Sequence, residues 1–285
     1  MKPASFDYHA ARSVAEAVAL LSEYGDGAKV LAGGQSLVPA MNFRLARPEV
    51  LVDVNPIEEL DYVDEADGSL RIGSLVRHVK LEHRTADDPL SHLLRMAARQ
   101  VGHMPIRVRG TFGGSLAHAD PAAEWCVIST LLDAEMVAQS SDGMRTIPAT
   151  EFFQTVFTTD LKPIELLTET RIPILPATAK VGFSEFSRRA GDFALTMAAV
   201  SLDIQDGKVN TARIAFGGIS DRPVRALDTE RALQGRVLDA ELATAAGEAA
   251  ADDVEPMGDI HGSAEYRRDL VRVLTKRALQ QAMAG

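Results

Sequence analysis

Apolar residues recur at helical spacing early in the chain, then give way to short apolar runs. Ser13-Val14-Ala15-Glu16 has the form of a capping box ahead of Ala17 to Leu21, which predicts a helix that Gly25 or Gly27 ends. Lys29 to Leu31 reads as a strand, as does Val50 to Val54 after Pro48, so the opening has a β-α-β rhythm. From Asp61 the texture shortens to hairpins, with Gly68-Ser69 separating Tyr62-Val63 from Leu70-Arg71-Ile72. Pro89 to Val101 returns to helical spacing, with Leu90, Leu93, Leu94, Ala97, Ala98 and Val101 on one face. Pro121 suits the first turn of a helix running through Leu132. Glu135 to Gln139 and Met144 to Ile147 flank Ser141-Asp142-Gly143, a hairpin signal. Leu166 to Ile172 reads as a further strand.

The proline-bounded stretch Pro173-Ile174-Leu175-Pro176 marks a boundary, dividing the chain into 1–177 and 178–285. Beyond it, Ala198 to Gln205 and Lys208 to Ala215 flank Asp206-Gly207, a short hairpin. The tail is helical in pattern: Val224 to Leu233, Asp239 to Ala251 and Ser263 to Met283. No internal repeat or low-complexity segment is present.

Two glycine stretches stand out from this pattern. Ala32-Gly33-Gly34-Gln35-Ser36-Leu37 follows the strand candidate ending at Leu31 and precedes a helical turn. Thr111-Phe112-Gly113-Gly114-Ser115 lies about eighty residues on. Without a Cβ in the way, backbone amides in such stretches converge on one point, which suits an anion such as phosphate. Two of them suit a diphosphate gripped from both sides. A tight turn with no ligand is the simpler reading of either stretch alone. The opening unit has no Gly-x-Gly-x-x-Gly after its strand, which disfavours a Rossmann site.

Composition narrows the function classes. The 285 residues suffice for two or three compact units. A net charge of −10 argues against nucleic acid as a partner, because phosphate contacts need a basic patch. There is no 18-residue apolar run, so no membrane span is expected. The start lacks the apolar region of a signal peptide, and a cytoplasmic location is expected. The single cysteine, Cys126, forms neither an internal disulfide nor a thiolate-ligated cluster within the chain. It sits in an apolar run and reads as a buried structural thiol. The seven histidines show no His-x-x-x-His or His-Glu-x-x-His spacing, and no metal ligand is assigned.

Taken in order, the motifs resemble one family. They are Ala32 to Leu37, then Arg107 to Glu124 (Arg-Val-Arg-Gly-Thr-Phe-Gly-Gly-Ser-Leu-Ala-His-Ala-Asp-Pro-Ala-Ala-Glu), and Arg188-Arg189-Ala190-Gly191-Asp192-Phe193-Ala194. Phe216-Gly217-Gly218, Arg222-Pro223-Val224-Arg225 and Gly262-Ser263-Ala264-Glu265-Tyr266-Arg267-Arg268 follow. Together they are similar to the flavin-binding medium subunit of the molybdenum hydroxylases, the group that includes aerobic carbon monoxide dehydrogenase. The resemblance runs nearly end to end. It implies an α+β fold: a two-lobed FAD-binding domain of the vanillyl-alcohol oxidase, or PCMH, type, then a small C-terminal antiparallel sheet with helices packed on it.

The resemblance also implies an oxidoreductase assembly. In that family the subunit pairs with a large molybdopterin subunit and a small subunit carrying two [2Fe–2S] clusters, as a dimer of heterotrimers. Electrons pass from molybdenum through the clusters to FAD and on to an acceptor. No side chain of this chain is expected to be catalytic. By position, Ala32, Gly33, Gly34, Gln35, Ser36 and Leu37 would hold the FAD diphosphate from one side, and Thr111, Gly113, Gly114 and Ser115 from the other. Asp120 and Glu124 would accept from ribose or ribityl hydroxyls, Asp120 being equally placed to cap a helix beginning at Pro121. Leu167 matches a position near the isoalloxazine edge, and a core leucine explains it as simply. Phe193 stands where many relatives have tyrosine, so stacking is kept and a hydroxyl lost. Phe112 replaces a common isoleucine. His118 reads as a packing residue and Arg188 and Arg189 as surface residues. Arg222, Arg225, Arg267 and Arg268 read as packing or subunit-contact residues.

Two other readings compete with this one. A free-standing FAD-dependent oxidoreductase of the vanillyl-alcohol oxidase-like group would need a substrate pocket. The C-terminal part, about 108 residues with few aromatics, offers little to line one. An assembly protein that has lost its cofactor would not need two intact glycine stretches.

Overall fold

The computed structural model describes residues 2–285 and contains three sheets of three or more strands. The first lobe holds β1 (Asp7–Ala10), α1 (Val14–Tyr24), β2 (Ala28–Leu31), α2 (Leu37–Asn42) and β3 (Val50–Asp53). Its strands are parallel in the order β1-β3-β2. Ser13 caps α1, its Oγ accepting from the Glu16 amide at 3.2 Å. The return bond of the capping box is displaced by one residue: Glu16 Oε2 accepts from the Arg12 amide at 2.8 Å.

The second lobe begins with β4 (Val63–Ala66), β5 (Ser69–Gly73), α3 (His78–Glu82), α4 (Pro89–Gln100), α5 (Met104–Arg107), α6 (Phe112–His118) and α7 (Glu124–Leu131). It ends with β6 (Glu135–Ser140), β7 (Gly143–Pro148), α8 (Ala149–Phe152), β8 (Phe153–Thr155), β9 (Thr158–Thr159) and β10 (Leu166–Pro173). β4, β5, β10, β6 and β7 form an antiparallel sheet in that order. Helix α4 obeys its sequence pattern: Asp88 caps it, Pro89 fills its first turn, and Leu90, Leu93, Leu94, Ala97 and Ala98 are buried.

The C-terminal part comprises β11 (Ala179–Phe186), β12 (Thr196–Gln205), β13 (Lys208–Gly217), β14 (Val224–Arg225), α9 (Leu227–Leu233), α10 (Ala240–Asp253) and α11 (Ala264–Ala284). Its four strands are antiparallel in sequence order. Both faces of this sheet are buried. Val181, Phe183, Met197, Ala199 and Ala215 join the core that contains Trp125, Leu93 and Leu94. The alternate residues Ala198, Val200, Leu202, Ile214 and Phe216 join a separate core with Leu270, Val271, Leu274 and Ala278 of α11. The period-two alternation of a strand thus feeds two cores from one sheet.

Three expectations are corrected. The helix expected from Pro121 begins at Glu124. Asp120 Oδ1 accepts from the Ala122 amide at 2.9 Å, and the Pro121 carbonyl accepts from the Gly218 amide at 2.8 Å. Pro121 to Ala123 is therefore held as a turn, and Asp120 caps that turn rather than a helix. The stretch Thr111 to Ser115 is the capped start of α6 rather than a loop: Thr111 Oγ1 accepts from the Gly114 amide at 3.0 Å. The helix expected from Val224 begins at Leu227, because Val224 and Arg225 pair with Phe216 and Ala215.

Candidate FAD site

The two glycine segments meet. A Cβ on Gly33 would lie 2.5 Å from the Arg109 carbonyl oxygen and 2.7 Å from Gly110 Cα. Only a glycine admits that approach of backbone to backbone. Gly34 adopts φ +70°, and Ser36 adopts φ −102°, ψ −45°. The positive φ of Gly34 turns the chain sharply between β2 and α2.

The amides of Gly33, Gly34, Gln35 and Ser36 have no acceptor among the described residues. Four consecutive unpaired amides at a half-buried position need a ligand or water. The Gln35 side chain is turned inward, its Nε2 donating to the Gly33 carbonyl at 2.9 Å. Ser36 caps nothing with its hydroxyl, which leaves it available as well.

The second segment contributes differently. Four of its five amides have protein acceptors, that of Thr111 having none among the described residues: Phe112 donates to the Val76 carbonyl at 2.8 Å, Gly113 to Ser74 at 3.1 Å, and Ser115 to Thr111 at 3.0 Å. Gly114 is taken by Thr111 Oγ1. Thr111 and Gly113 are buried while Gly114 and Ser115 are half-exposed. On this side the expected amide donors reduce to Thr111. The first segment carries a run of four free amides, and the second supplies a close wall, the Thr111 amide and the Ser115 hydroxyl.

Single polar residues far apart in sequence hold the segments together. Asn55 Nδ2 donates to the Ala32 carbonyl at 2.8 Å, and Asn55 Oδ1 accepts from Arg77 Nη2 at 2.6 Å. Arg77 Nη1 in turn donates to the Arg109 carbonyl. Asp53 completes the frame, its Oδ1 accepting from Asn55 Nδ2 and its Oδ2 from the Tyr8 hydroxyl, at 2.6 and 2.5 Å. The adjacent His78 amide donates to the Gly110 carbonyl at 3.2 Å. The buried His78 ring accepts from Trp125 Nε1 at Nδ1, 2.9 Å, so its proton sits on Nε2. Burial, with Arg77 and Arg107 nearby, lowers its pKa to about 4. None of Asn55, Arg77 or His78 carries a motif that sequence reading detects. Their role follows only from the fold.

The remaining site candidates are dispersed. Asp120 and Glu124 lie beyond α6, on the turn and at the start of α7. Burial raises the pKa of each, and Asp120 adds to the effect on Glu124. Leu167 is buried beneath the second segment. Its carbonyl accepts from Ser74 Oγ at 2.6 Å, and Ser74 packs against Gly113. Leu37 opens α2 and is half-buried. Phe193 is 64% exposed on the segment before β12. His118 stacks on Phe157 at 4.8 Å. Cys126 is fully buried, and burial raises its thiol pKa well above the ordinary value.

Comparison with known proteins follows this geometry. Residues 4–175 match the model of the FAD binding domain in molybdopterin dehydrogenase, and residues 182–282 match the CO dehydrogenase flavoprotein C-terminal domain. The chain is 43% identical, over 99% of its length and 96% of the relative's, to 6-hydroxypseudooxynicotine dehydrogenase complex subunit alpha of Paenarthrobacter nicotinovorans. It superposes on a solved carbon monoxide dehydrogenase from Hydrogenophaga pseudoflava with a TM-score of 0.95 at 37% identity, covering 100% of this chain and 99% of that one. Quinoline 2-oxidoreductase from Pseudomonas putida 86 gives a TM-score of 0.93 at 38% identity, again covering 100% and 99%.

Proposed function

The chain belongs to the family of FAD-binding medium subunits of molybdenum hydroxylases, and from that premise we propose that it carries electrons from iron–sulfur clusters of a partner subunit, through FAD, to an external acceptor. The run of four unpaired amides from Gly33 to Ser36, closed by the wall at Arg109 and Gly110, carries this reading. Fixed amide dipoles suit a diphosphate in a chain of net charge −10, because the fold holds them in place and they carry no mobile charge. When bound, FAD supplies the one- and two-electron chemistry that side chains lack.

The residues present fit that group. Gly33, Gly34, Gln35 and Ser36 donate to the diphosphate through the backbone, Ser36 and Ser115 through hydroxyls. Asn55 and Arg77 fix the spacing of the two walls. Leu167 underlies the site and limits water access from the core side. Substrate oxidation falls to a large molybdopterin subunit, and two [2Fe–2S] clusters to a small one, in a cytoplasmic dimer of heterotrimers. Within the chain, the FAD-binding part is 1–177 and the C-terminal part 178–285.

A visible absorption spectrum and a subunit gel of the chain purified from its host, with whatever co-purifies, test this. The expected result is a flavin band, iron–sulfur absorbance, and two further subunits, one large and one small. A preparation free of flavin overturns the site. Flavin on a single band, with no iron–sulfur absorbance, overturns the electron-transfer role.

A further inference from the structure

Two stretches that adjoin the FAD cradle stand apart in charge. Residues 27–48 and 89–119 hold no aspartate or glutamate and seven lysines and arginines, which leaves −17 for the rest of a chain whose net charge is −10. The fold brings the two together at the contact of Gly33 with Arg109 and Gly110. Arg44, Arg47 and Arg109 are exposed and form no ion pair among the described residues. A diphosphate does not account for this charge. The free amides of residues 33–36 face it, and the six residues of α2, about 9 Å of helix, separate Arg44 and Arg47 from them.

The same surface is apolar. Phe43 is 65% exposed and Leu45 84%, and Val38 of α2 is exposed as well. Met104 and Val108, one turn apart along α5, are exposed beside Arg109. The turn after α2 holds Phe43 and Leu45 outward. Arg44 between them adopts φ +60°, a conformation that a residue other than glycine rarely takes. The Arg44 amide donates to the Met41 carbonyl and the Leu45 amide to the Ala40 carbonyl, both at 2.9 Å, while Met41 itself is buried. Arg47 Nε donates to the Arg44 carbonyl at 3.0 Å. Large apolar side chains that a fixed turn presents to water suit the anchors of an interface, because little ordering cost remains to be met on binding.

We propose that this surface, with Phe43 and Leu45 as its anchors and Arg44 and Arg47 beside them, docks the iron–sulfur subunit. This rests on the electron-transfer reading above. Of the partners in that reading, the cluster carrier is the one that must come beside the cofactor, and the surface begins where the cradle ends: Leu37 opens α2 directly after Ser36. The charge fits the same partner. A [2Fe–2S] cluster held by four thiolates is a net anion, and a cationic, acid-free face is its electrostatic complement.

Interferometry of the FAD-loaded full chain against the iron–sulfur subunit released from the wild-type complex tests this. Leu45→Glu and Phe43→Ser are each expected to raise the dissociation constant about 30-fold. Arg47→Glu slows association and flattens its dependence on ionic strength. Ile260→Glu, at an isoleucine 94% exposed on the C-terminal part, leaves binding unchanged. FAD affinity and melting temperature stay at wild type in all four, because each side chain is exposed. Wild-type binding by Leu45→Glu and Phe43→Ser overturns the proposal. An equal loss in Ile260→Glu also overturns it, because it marks unspecific contact. So does loss of the large subunit alone from a complex built on tagged Leu45→Glu chain, or a wild-type dimer in light scattering that Leu45→Glu dissolves, which marks a second copy as the occupant. An iron–sulfur subunit that does not bind the wild-type FAD-loaded chain at all overturns the electron-transfer reading itself.

Discussion

Replacing Gly33 by alanine puts one methyl group where the two glycine segments touch. The new Cβ would stand 2.5 Å from the Arg109 carbonyl oxygen, 2.7 Å from Gly110 Cα and 3.1 Å from the Arg109 carbonyl carbon. All three are backbone atoms, so no rotamer change relieves the clash, and the segments must part by roughly 1 Å to reach ordinary contact. Overpacking of this kind costs about 1–3 kcal/mol. The cost divides between two readouts. If the clamp through Asn55 and Arg77 holds, the strain stays in the folded chain and lowers the apo melting temperature by about 2–10 °C. If the clamp yields, the amides of residues 33–36 move off their wall and FAD affinity falls about 5- to 150-fold. Fluorescence titration of FAD into the apo chain and a thermal melt measure the two. Gly262→Ala is the control, because its nearest neighbours would lie at 3.4 Å. Wild-type affinity together with a wild-type melt in Gly33→Ala refutes the contact between the segments and the site built on it.

Other perturbations separate the clamp from the scaffold. Arg77→Met removes the bridge between Asn55 and the Arg109 carbonyl and is expected to weaken FAD by about 1.5–3 kcal/mol in a titration, with Arg77→Lys recovering part of the loss. Arg267→Met leaves the Leu195 and Gly218 carbonyls and Asp259 without their buried partner. A melt should show a loss of about 1–3 kcal/mol for each carbonyl left unpaired, with FAD affinity in the surviving folded fraction unchanged. His78, with its pKa lowered from 6.5 to about 4, binds fewer protons folded than unfolded. Its contribution to stability, about 3 kcal/mol, is therefore complete above pH 6.5 and lost as pH falls toward 4. Chemical denaturation across that window reads it, and a Trp125→Phe chain, lacking the indole donor, should be destabilised by about 1–3 kcal/mol.

Much of this molecule can be read from its sequence, and what cannot has physical causes. Helix α4 declares itself through Leu90, Leu93, Leu94, Ala97 and Ala98, all buried. The hairpin at Asp206-Gly207 declares itself through turn residues that both adopt positive φ. Strand β1 was not legible, because three of its four residues are exposed and carry no alternation. The start of α7 was misplaced because Pro121 is compatible with a first helical turn, while a tertiary bond from Gly218 holds it in another. Both glycine segments were visible, but which amides remain free depends on Ser74 and Val76, some forty residues before the second segment. Asn55 and Arg77 are ordinary polar residues until the fold brings them to partners that sequence spacing does not name.

The C-terminal sheet has one further consequence. Because Val181, Phe183, Met197, Ala199 and Ala215 complete the core of the preceding half, the proline-bounded joint near residue 175 is a seam in the chain but not in the folded mass. Neither half can be released without baring a full apolar sheet face or the surface that face covers. The two should therefore unfold as one cooperative unit, with a single calorimetric transition. A gene cut at that seam would yield two insoluble products rather than two domains, and the cofactor and its protein frame would be gained or lost together.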